Sequence, residues 1–324
     1  MVTRLKLVFC GTPRFAVPTL EALLAAGHEV RLAVSQPDRP AGRSQQLTPP
    51  LVKLAALAAG IPVTQPEKIR NNSEFRLRLE TIAPDAIVVV AYGRIVPPWM
   101  LALPRLGCIN LHASLLPKYR GAAPIQWAVA RGETVTGNST MLLEEGLDTG
   151  PILLQRTMPI GREQTAVELF EILAESGAPL VIETLAGLAD GTVHPLPQDH
   201  SLATIAPLLG REDGRMDFAA RTAAELCNRW RGFQPWPGAF TSLEGKKLIV
   251  HRLMTTDPFA LAAPPKPQSG QVHMEHDRLF VACAQNTWLE LVEIQLEGKK
   301  RLAAAEFLRG MQLSASVRLG MPSQ

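Results

Sequence analysis

Three polar side chains carry the chemistry this chain is equipped for: Asn110, His112 and Asp148. Asn110 and His112 stand two apart in Cys108-Ile109-Asn110-Leu111-His112, within a run over 107–112 that reads as a strand. Side chains alternate along a strand, so both emerge on one face, about 7 Å apart at a rise of ~3.3 Å per residue. An amide and an imidazole on one face suit acyl transfer. The amide N–H donates to a developing oxyanion, and an imidazole, which titrates near neutrality, moves a proton. Asp148 lies in Glu145-Gly146-Leu147-Asp148-Thr149-Gly150, where glycines permit a tight loop to carry a carboxylate into a cleft. It is expected to hold the imidazole and stabilise its cationic form. Each residue also has a plainer reading: a histidine on a strand can be a satisfied core residue, and an aspartate in a glycine-rich turn a local cap.

These groups need a scaffold. Residues 5–10 read as a strand, Gly11-Thr12-Pro13 as a turn, Phe15 to Ala26 as an amphipathic helix closed by Gly27, and Val30, Leu32 and Val34 as a second strand, a βαβ opening. Helices are expected over 51–59, 73–82, 124–131 and 165–188, and strands near 140–143 and 152–156. Asp85 to Ala91 is the kind of apolar run buried on both faces of a parallel sheet. The alternation predicts the α/β class, with a doubly wound, mostly parallel sheet. Ligands bind such sheets beyond the carboxyl ends of the strands, where His112 leads into Ser114-Leu115-Leu116-Pro117. The first turn lacks G-x-G-x-x-G, and the second strand ends in Ser35-Gln36-Pro37 rather than an acidic residue, which disfavours a dinucleotide cofactor. Residues 35–50 show no periodicity, carry Arg39 and Arg43, and are expected to form a functional loop.

From Asp190 to Leu209 prolines and polar residues replace periodic sequence, as in a linker. The expected division is a catalytic domain over 1–189, the linker 190–209 and a second domain over 210–316. That second domain shows one helix, 222–231, and five strand-like runs, 240–243, 247–253, 270–274, 279–284 and 288–296. Five short strands predict a small OB-like β-barrel. Lys246, Lys247, Lys299, Lys300 and Arg301 fall at its expected turns, where they suit the backbone of a nucleic acid.

The 324 residues are 46% hydrophobic and 19% charged, enough to bury a substantial core. The formal charge of +3 is uneven: residues 1–208 hold 18 basic and 18 acidic side chains, residues 209–324 hold 15 and 12. The surplus hints at a polyanionic partner for the last third. Cys10, Cys108, Cys227 and Cys283 form no CxxC pair, so neither a disulfide framework nor a zinc site is suggested. With no signal-like start and no run near the ~20 apolar residues that span a bilayer, a cytoplasmic protein without membrane contact is expected.

Asn110-Leu111-His112-Ala113-Ser114-Leu115-Leu116-Pro117 resembles the N-x-H-x-S-L-L-P signature of folate-dependent formyltransferases, and Gly146-Leu147-Asp148-Thr149-Gly150 resembles their aspartate loop. Phe9 to Pro13, Gln36 to Arg43, Arg120 to Gln126 and Gln234 to Gly238 extend the resemblance to the branch of that family acting on charged tRNA. The resemblance implies a Rossmann-like catalytic domain joined to an OB-fold domain. It implies 10-formyltetrahydrofolate as donor, initiator methionyl-tRNA as acceptor, no metal, and a monomer. It puts the pterin against the backbone near Val90, Ala91, Tyr92, Arg94 and Ile95, with Ser114, Leu115, Leu116 and Pro117 as the other wall. It sends Arg39 and Arg43 towards the acceptor end of the tRNA, and makes Phe15, Pro124 and Ile125 candidates for a methionine pocket. Ser44-Gln45-Gln46 departs from the lysines relatives often carry there, which puts the loop's share of affinity in doubt. A formyltransferase or folate hydrolase acting on a small molecule, and a noncatalytic RNA-binding relative, stay open as alternatives. The last of these would be expected to have lost one of the three polar residues.

Overall fold

Strand β1 (Lys6–Gly11) and helix α1 (Val17–Ala25) open the chain, followed by β2 (Glu29–Val34), a ribbon of β3 (Arg39–Ala41) and β4 (Gln46–Thr48), α2 (Leu51–Ala58) and β5 (Val63–Thr64). Then come α3 (Ser73–Ile82), β6 (Ala86–Val90), α4 (Pro98–Leu101), β7 (Cys108–His112), α5 (Pro124–Ala130), β8 (Val135–Leu142), β9 (Ile152–Pro159) and α6 (Ala166–Asp190). The computed structural model describes residues 3–41, 46–256, 267–311, 313–314 and 316–320. The chain falls into two units, one of Met1–Pro124, Val135–Ile160 and Glu168–Pro207, the other of Ile125–Thr134, Gly161–Val167 and Leu208–Gln324.

The first unit is built on a seven-stranded sheet in the order β5-β2-β1-β6-β7-β8-β9. Strands β5, β2, β1, β6 and β7 run parallel, as the βαβ pattern requires. Strand β8 runs antiparallel to both β7 and β9, and between β8 and β9 the 143–151 loop is shorter than the roughly dozen residues a parallel crossover needs. That loop carries Asp148. Every residue of β6 and β7 is buried, which explains their lack of polar alternation until Asn110. One face of the sheet sets Val8, Cys10, Ile87, Val89 and Cys108 in a core with Phe75, Leu79 and Met100. Asn110 and His112 continue that face beyond Cys108, so a side-chain row that begins in the core ends at the site. On the opposite face Leu111 meets α6, where a Cβ on Gly177 would stand 2.7 Å from the Leu111 side chain. Among the described residues α6 is the one helix long and apolar enough to cross a membrane. It instead buries Leu169, Leu173, Leu180, Val181 and Leu185 within the protein.

Two expectations change here. The 35–50 stretch is not wholly irregular, since β3 and β4 pair from Arg39↔Thr48 to Ala41↔Gln46. The 190–209 stretch is not a free linker: Leu196 pairs with Ile152 and Ile205 with Arg120.

The second unit contains α7 (Ala223–Gly232), β10 (Phe240–Leu243), β11 (Lys246–Thr256), β12 (Val272–Glu275), β13 (Arg278–Ala282), β14 (Trp288–Leu296), β15 (Leu302–Ala303) and α8 (Ala304–Gly310). Thr222 and Glu225 form a reciprocal capping box that starts α7. The sheet runs β10-β11-β14-β13-β12, with β15 beside β14. No ladder among the described residues joins β10 to β12, so the predicted barrel is an open, antiparallel half-barrel. Its concave core gathers Leu226, Leu248, Val250, Val281, Leu289, Leu291 and Phe307.

All four cysteines are free thiols. Burial pushes Cys108 and Cys283 up to about 12, and burial together with neighbouring Cys108 raises Cys10 as well. At a pH of ~8 such thiols hold ~10³-fold less thiolate than an ordinary one. Alkylation of these three in the native protein, followed by mass spectrometry, is expected to be negligible beside the urea-unfolded chain.

Candidate active site

His112 closes β7 and is 6% exposed, with Asn110 9% exposed one pleat behind it. Its Nε2 lies 2.9 Å from the Tyr119 carbonyl oxygen. A carbonyl only accepts, so Nε2 carries the hydrogen and Nδ1 is the nitrogen that gains and loses a proton. Nδ1 faces Asp148 Oδ2 at 3.7 Å, an ion-pair distance once the ring is protonated. The same Oδ2 accepts from the Gly121 N–H at 2.8 Å. Among the described residues the Asn110 side chain has no hydrogen-bond partner, which leaves its amide available to a ligand. His112 and Asp148 therefore meet around one turn, 119–121, which sequence reasoning did not single out for this role, with Asn110 on the same face of β7.

Local backbone makes this arrangement possible. Asp148 sits at φ +51° and Gly121 at φ +116°. A Cβ at Gly121 would stand 2.7 Å from the Ala206 carbonyl oxygen, and at Gly150 1.8 Å from that of Leu142. Only glycine fits either place.

The 114–117 wall is held from behind. Ser139 Oγ donates to the Ser114 carbonyl at 2.6 Å and accepts from the Leu116 N–H at 3.0 Å, while Gln155 Nε2 donates to the Leu116 carbonyl at 2.9 Å. The Ser114 hydroxyl itself donates to the Lys118 carbonyl at 2.6 Å, and Leu115 and Pro117 are half-buried. At the end of β6, Val90 is buried and Ala91 turns outward at φ +46°. The Tyr92 ring lies in the core, where burial pushes its phenol up, which leaves only its backbone to offer a ligand. Its carbonyl accepts from Thr12 Oγ1 and Gln36 Nε2, each at 3.1 Å. Gln36 Oε1 in turn accepts from Arg94 Nε at 3.1 Å, and Arg94 also donates to the Glu67 carbonyl. Gln65 bridges the Gln36 carbonyl and Asp38, whose carboxylate hydrogen bonds from Lys53 and Gln65 hold below the usual range. Ile95 is 85% exposed, an apolar side chain offered to solvent beside this ledge.

The remaining candidates separate by place. Arg39 is exposed on β3, and Arg43 lies outside the described residues. Phe15 is buried edge-to-face against Phe170 at 5.2 Å, and Pro124 and Ile125 are buried at the start of α5. In the second unit the β10–β11 and β14–β15 turns meet, the Glu297 N–H donating to the Lys247 carbonyl at 2.8 Å. Lys246, Lys299 and Lys300 are exposed there, Lys247 lies over the Phe240 ring, and Arg301 pairs with Glu293. No group of three or more metal-ligating side chains is found among the described residues.

Comparison with known proteins places this geometry. Residues 5–185 match the family model described as formyl transferase, and 209–312 match the formyl transferase C-terminal domain. The chain is 65% identical to a methionyl-tRNA formyltransferase of Acidobacterium capsulatum over 316 residues, covering 98% of this chain and all of that one. It is 57% identical to the enzyme of the same name from Koribacter versatilis, across 97% of this chain and 98% of that one. The crystal structure of an N-formyltransferase from Helicobacter canadensis in complex with folinic acid and dTDP-3-aminofucose shares the fold, with a TM-score of 0.64 at 18% identity, over 88% of this chain and 98% of that chain. Signature, fold and full-length similarity converge, and the chain belongs to the formyl transferase family.

Proposed function

We propose that this enzyme transfers a formyl group from 10-formyltetrahydrofolate to the α-amine of methionine on initiator methionyl-tRNA. The observation that carries the chemistry is the Asn110 amide, unpartnered among the described residues, on one face with His112, whose Nδ1 faces Asp148. The acceptor is supported by the relatives named methionyl-tRNA formyltransferase, which match nearly the whole chain at up to 65% identity. A small-molecule amine is not favoured on that ground. The folate donor supplies the formyl carbon, and its leaving nitrogen must recover a proton. The residues present fit such a donor: exposed Ile95 and the outward-turned Ala91 offer it an apolar surface at the end of β6.

Asn110 would donate its N–H to the formyl oxygen as negative charge builds there. His112, fixed through Nε2 by Tyr119, exchanges the proton at Nδ1, and Asp148 stabilises the ring while it is charged. The attacking amine loses one proton and the leaving nitrogen gains one, so the step needs no net acid or base. Arg39 on the ribbon and the exposed lysines of the second unit would neutralise RNA phosphates. A monomer working in the cytoplasm, where charged tRNA and reduced folate are found, completes the reading.

Purified protein is expected to formylate methionine on initiator tRNA when given the folate donor, and absence of formyl-methionine on the recovered tRNA would refute it. Lys299→Ala with Lys300→Ala is expected to raise KM for tRNA, leave the donor KM unchanged, and flatten the log KM against log salt slope by roughly one unit per lysine. An unchanged slope would remove that turn from the RNA-binding surface.

A further inference from the structure

We infer that Gln198, from the segment after α6, is a positioning residue for the His112–Asp148 pair, acting together with buried Arg120. Its side chain is 7% exposed and ties three groups at once. Nε2 donates to the Asp148 carbonyl at 2.9 Å and to the Gly150 carbonyl at 2.6 Å. Oε1 accepts from Arg120 Nε at 3.1 Å and Nη2 at 2.6 Å. The amide has only one orientation that satisfies this setting, because two carbonyls need a donor and a guanidinium needs an acceptor. Arg120 is 6% exposed, and no carboxylate pairs with it among the described residues. Its other contact is His200 Nδ1 at 3.1 Å.

The location gives the tie its meaning. Arg120 stands between Tyr119, whose carbonyl fixes His112 Nε2, and Gly121, whose N–H fixes Asp148 Oδ2. The same segment stitches that turn along its length. Tyr119 N–H donates to Thr204 Oγ1 at 2.9 Å, Arg120 N–H to the Thr204 carbonyl at 2.9 Å, and Ala206 N–H to the Arg120 carbonyl at 2.7 Å. Gln198 thus joins the turn that orients the imidazole to the loop that presents the carboxylate. It also braces Asp148 at φ +51°, a left-handed conformation that aspartate adopts more readily than most residues yet at some cost in free energy. Without the tie, turn and loop can separate, and the 3.7 Å spacing of Nδ1 and Oδ2 goes with them. The role rests on the catalytic reading above, and it assigns to the 190–209 segment a part in the site rather than in connection alone.

The test is a double-mutant cycle with one measurement that needs no turnover. Gln198→Leu is expected to lower kcat for formyl transfer by ~10²-fold with little change in either KM, as misplacement of a catalytic group does. Gln198→Glu keeps an acceptor for Arg120 but removes the donor to both carbonyls, and should be similarly impaired; it carries the comparison if Gln198→Leu fails to accumulate folded. In an Asp148→Ala background Gln198→Leu should cost nothing more, because it acts through Asp148. At a fixed pH the ring proton and nitrogen chemical shifts of His112 in NMR spectra should change in either Gln198 variant, as Asp148 Oδ2 recedes from Nδ1. A folded variant with parental kcat, a loss that multiplies with that of Asp148→Ala, or unchanged His112 ring shifts would each overturn the proposal. A parent enzyme inactive on charged tRNA would instead strike the functional reading, with the ring shifts still deciding the role of Gln198.

Discussion

Replacing His112 with alanine is expected to lower the turnover number for formyl transfer by ~10²-fold or more, the share general acid–base catalysis usually supplies. The ring has one nitrogen fixed by the Tyr119 carbonyl and the other facing Asp148, so truncation removes the group placed to pass the proton. His112 is the last residue of β7, at the rim of the core. The variant should therefore remain folded, with binding of the donor little altered. Steady-state kinetics with both substrates, read beside a thermal melt, make the check, and parental turnover in a folded variant would remove His112 from the mechanism.

Asn110→Ala is expected to cost as much or more, ~10²- to 10³-fold in kcat, or about 3 to 4 kcal/mol of transition-state stabilisation. The reason is that its amide has no partner in the protein among the described residues. An amide already bonded to the fold would lose packing on truncation, whereas one held ready for a developing oxyanion loses mainly rate. Asn110→Asp should be no better, since it removes the donor and brings negative charge to the place where negative charge must form. A fall in binding of both substrates with kcat preserved would speak for a structural role instead.

Much of this was legible from residue pattern. Helix 73–82 was readable because Asn72 caps it, accepting from the Phe75 N–H at 2.9 Å, and β6 because both its faces are buried. The alternation in 108–112 by itself puts Asn110 and His112 on one face. Other features left no local trace. The β3–β4 ribbon contains Pro40 and exposed residues, so no apolar alternation marks it. The reversal between β8 and β9 follows from loop length, which single-residue propensity does not register. The open edge of the half-barrel depends on which strands pair, not on how many there are. Gln198 was hidden for a different reason. Its bonds reach residues 50 and 78 positions away, and its own neighbourhood of prolines and polar side chains reads as a linker. Likewise Gln36 links β2 to Tyr92 and Arg94 across more than 50 residues.

The arginines and lysines show the limit of reading charge along the chain. Five basic residues of the second unit do gather at one pair of turns, yet Arg301 is taken up by Glu293 and Lys247 by the Phe240 ring. Lys246, Lys299 and Lys300 remain for a polyanion. An exposed pair such as Arg301–Glu293 contributes little to stability, so it can open when RNA phosphate competes for the guanidinium.

The His112–Asp148 pair serves an acceptor carried on RNA, and the most direct test compares two acceptors at one concentration of donor. The specificity constant for initiator methionyl-tRNA should exceed that for methionine methyl ester by ~10³-fold or more, because contacts far from the reacting amine are used to place it. Similar constants for the two would contradict the account, leaving a formyltransferase whose substrate is the small amine.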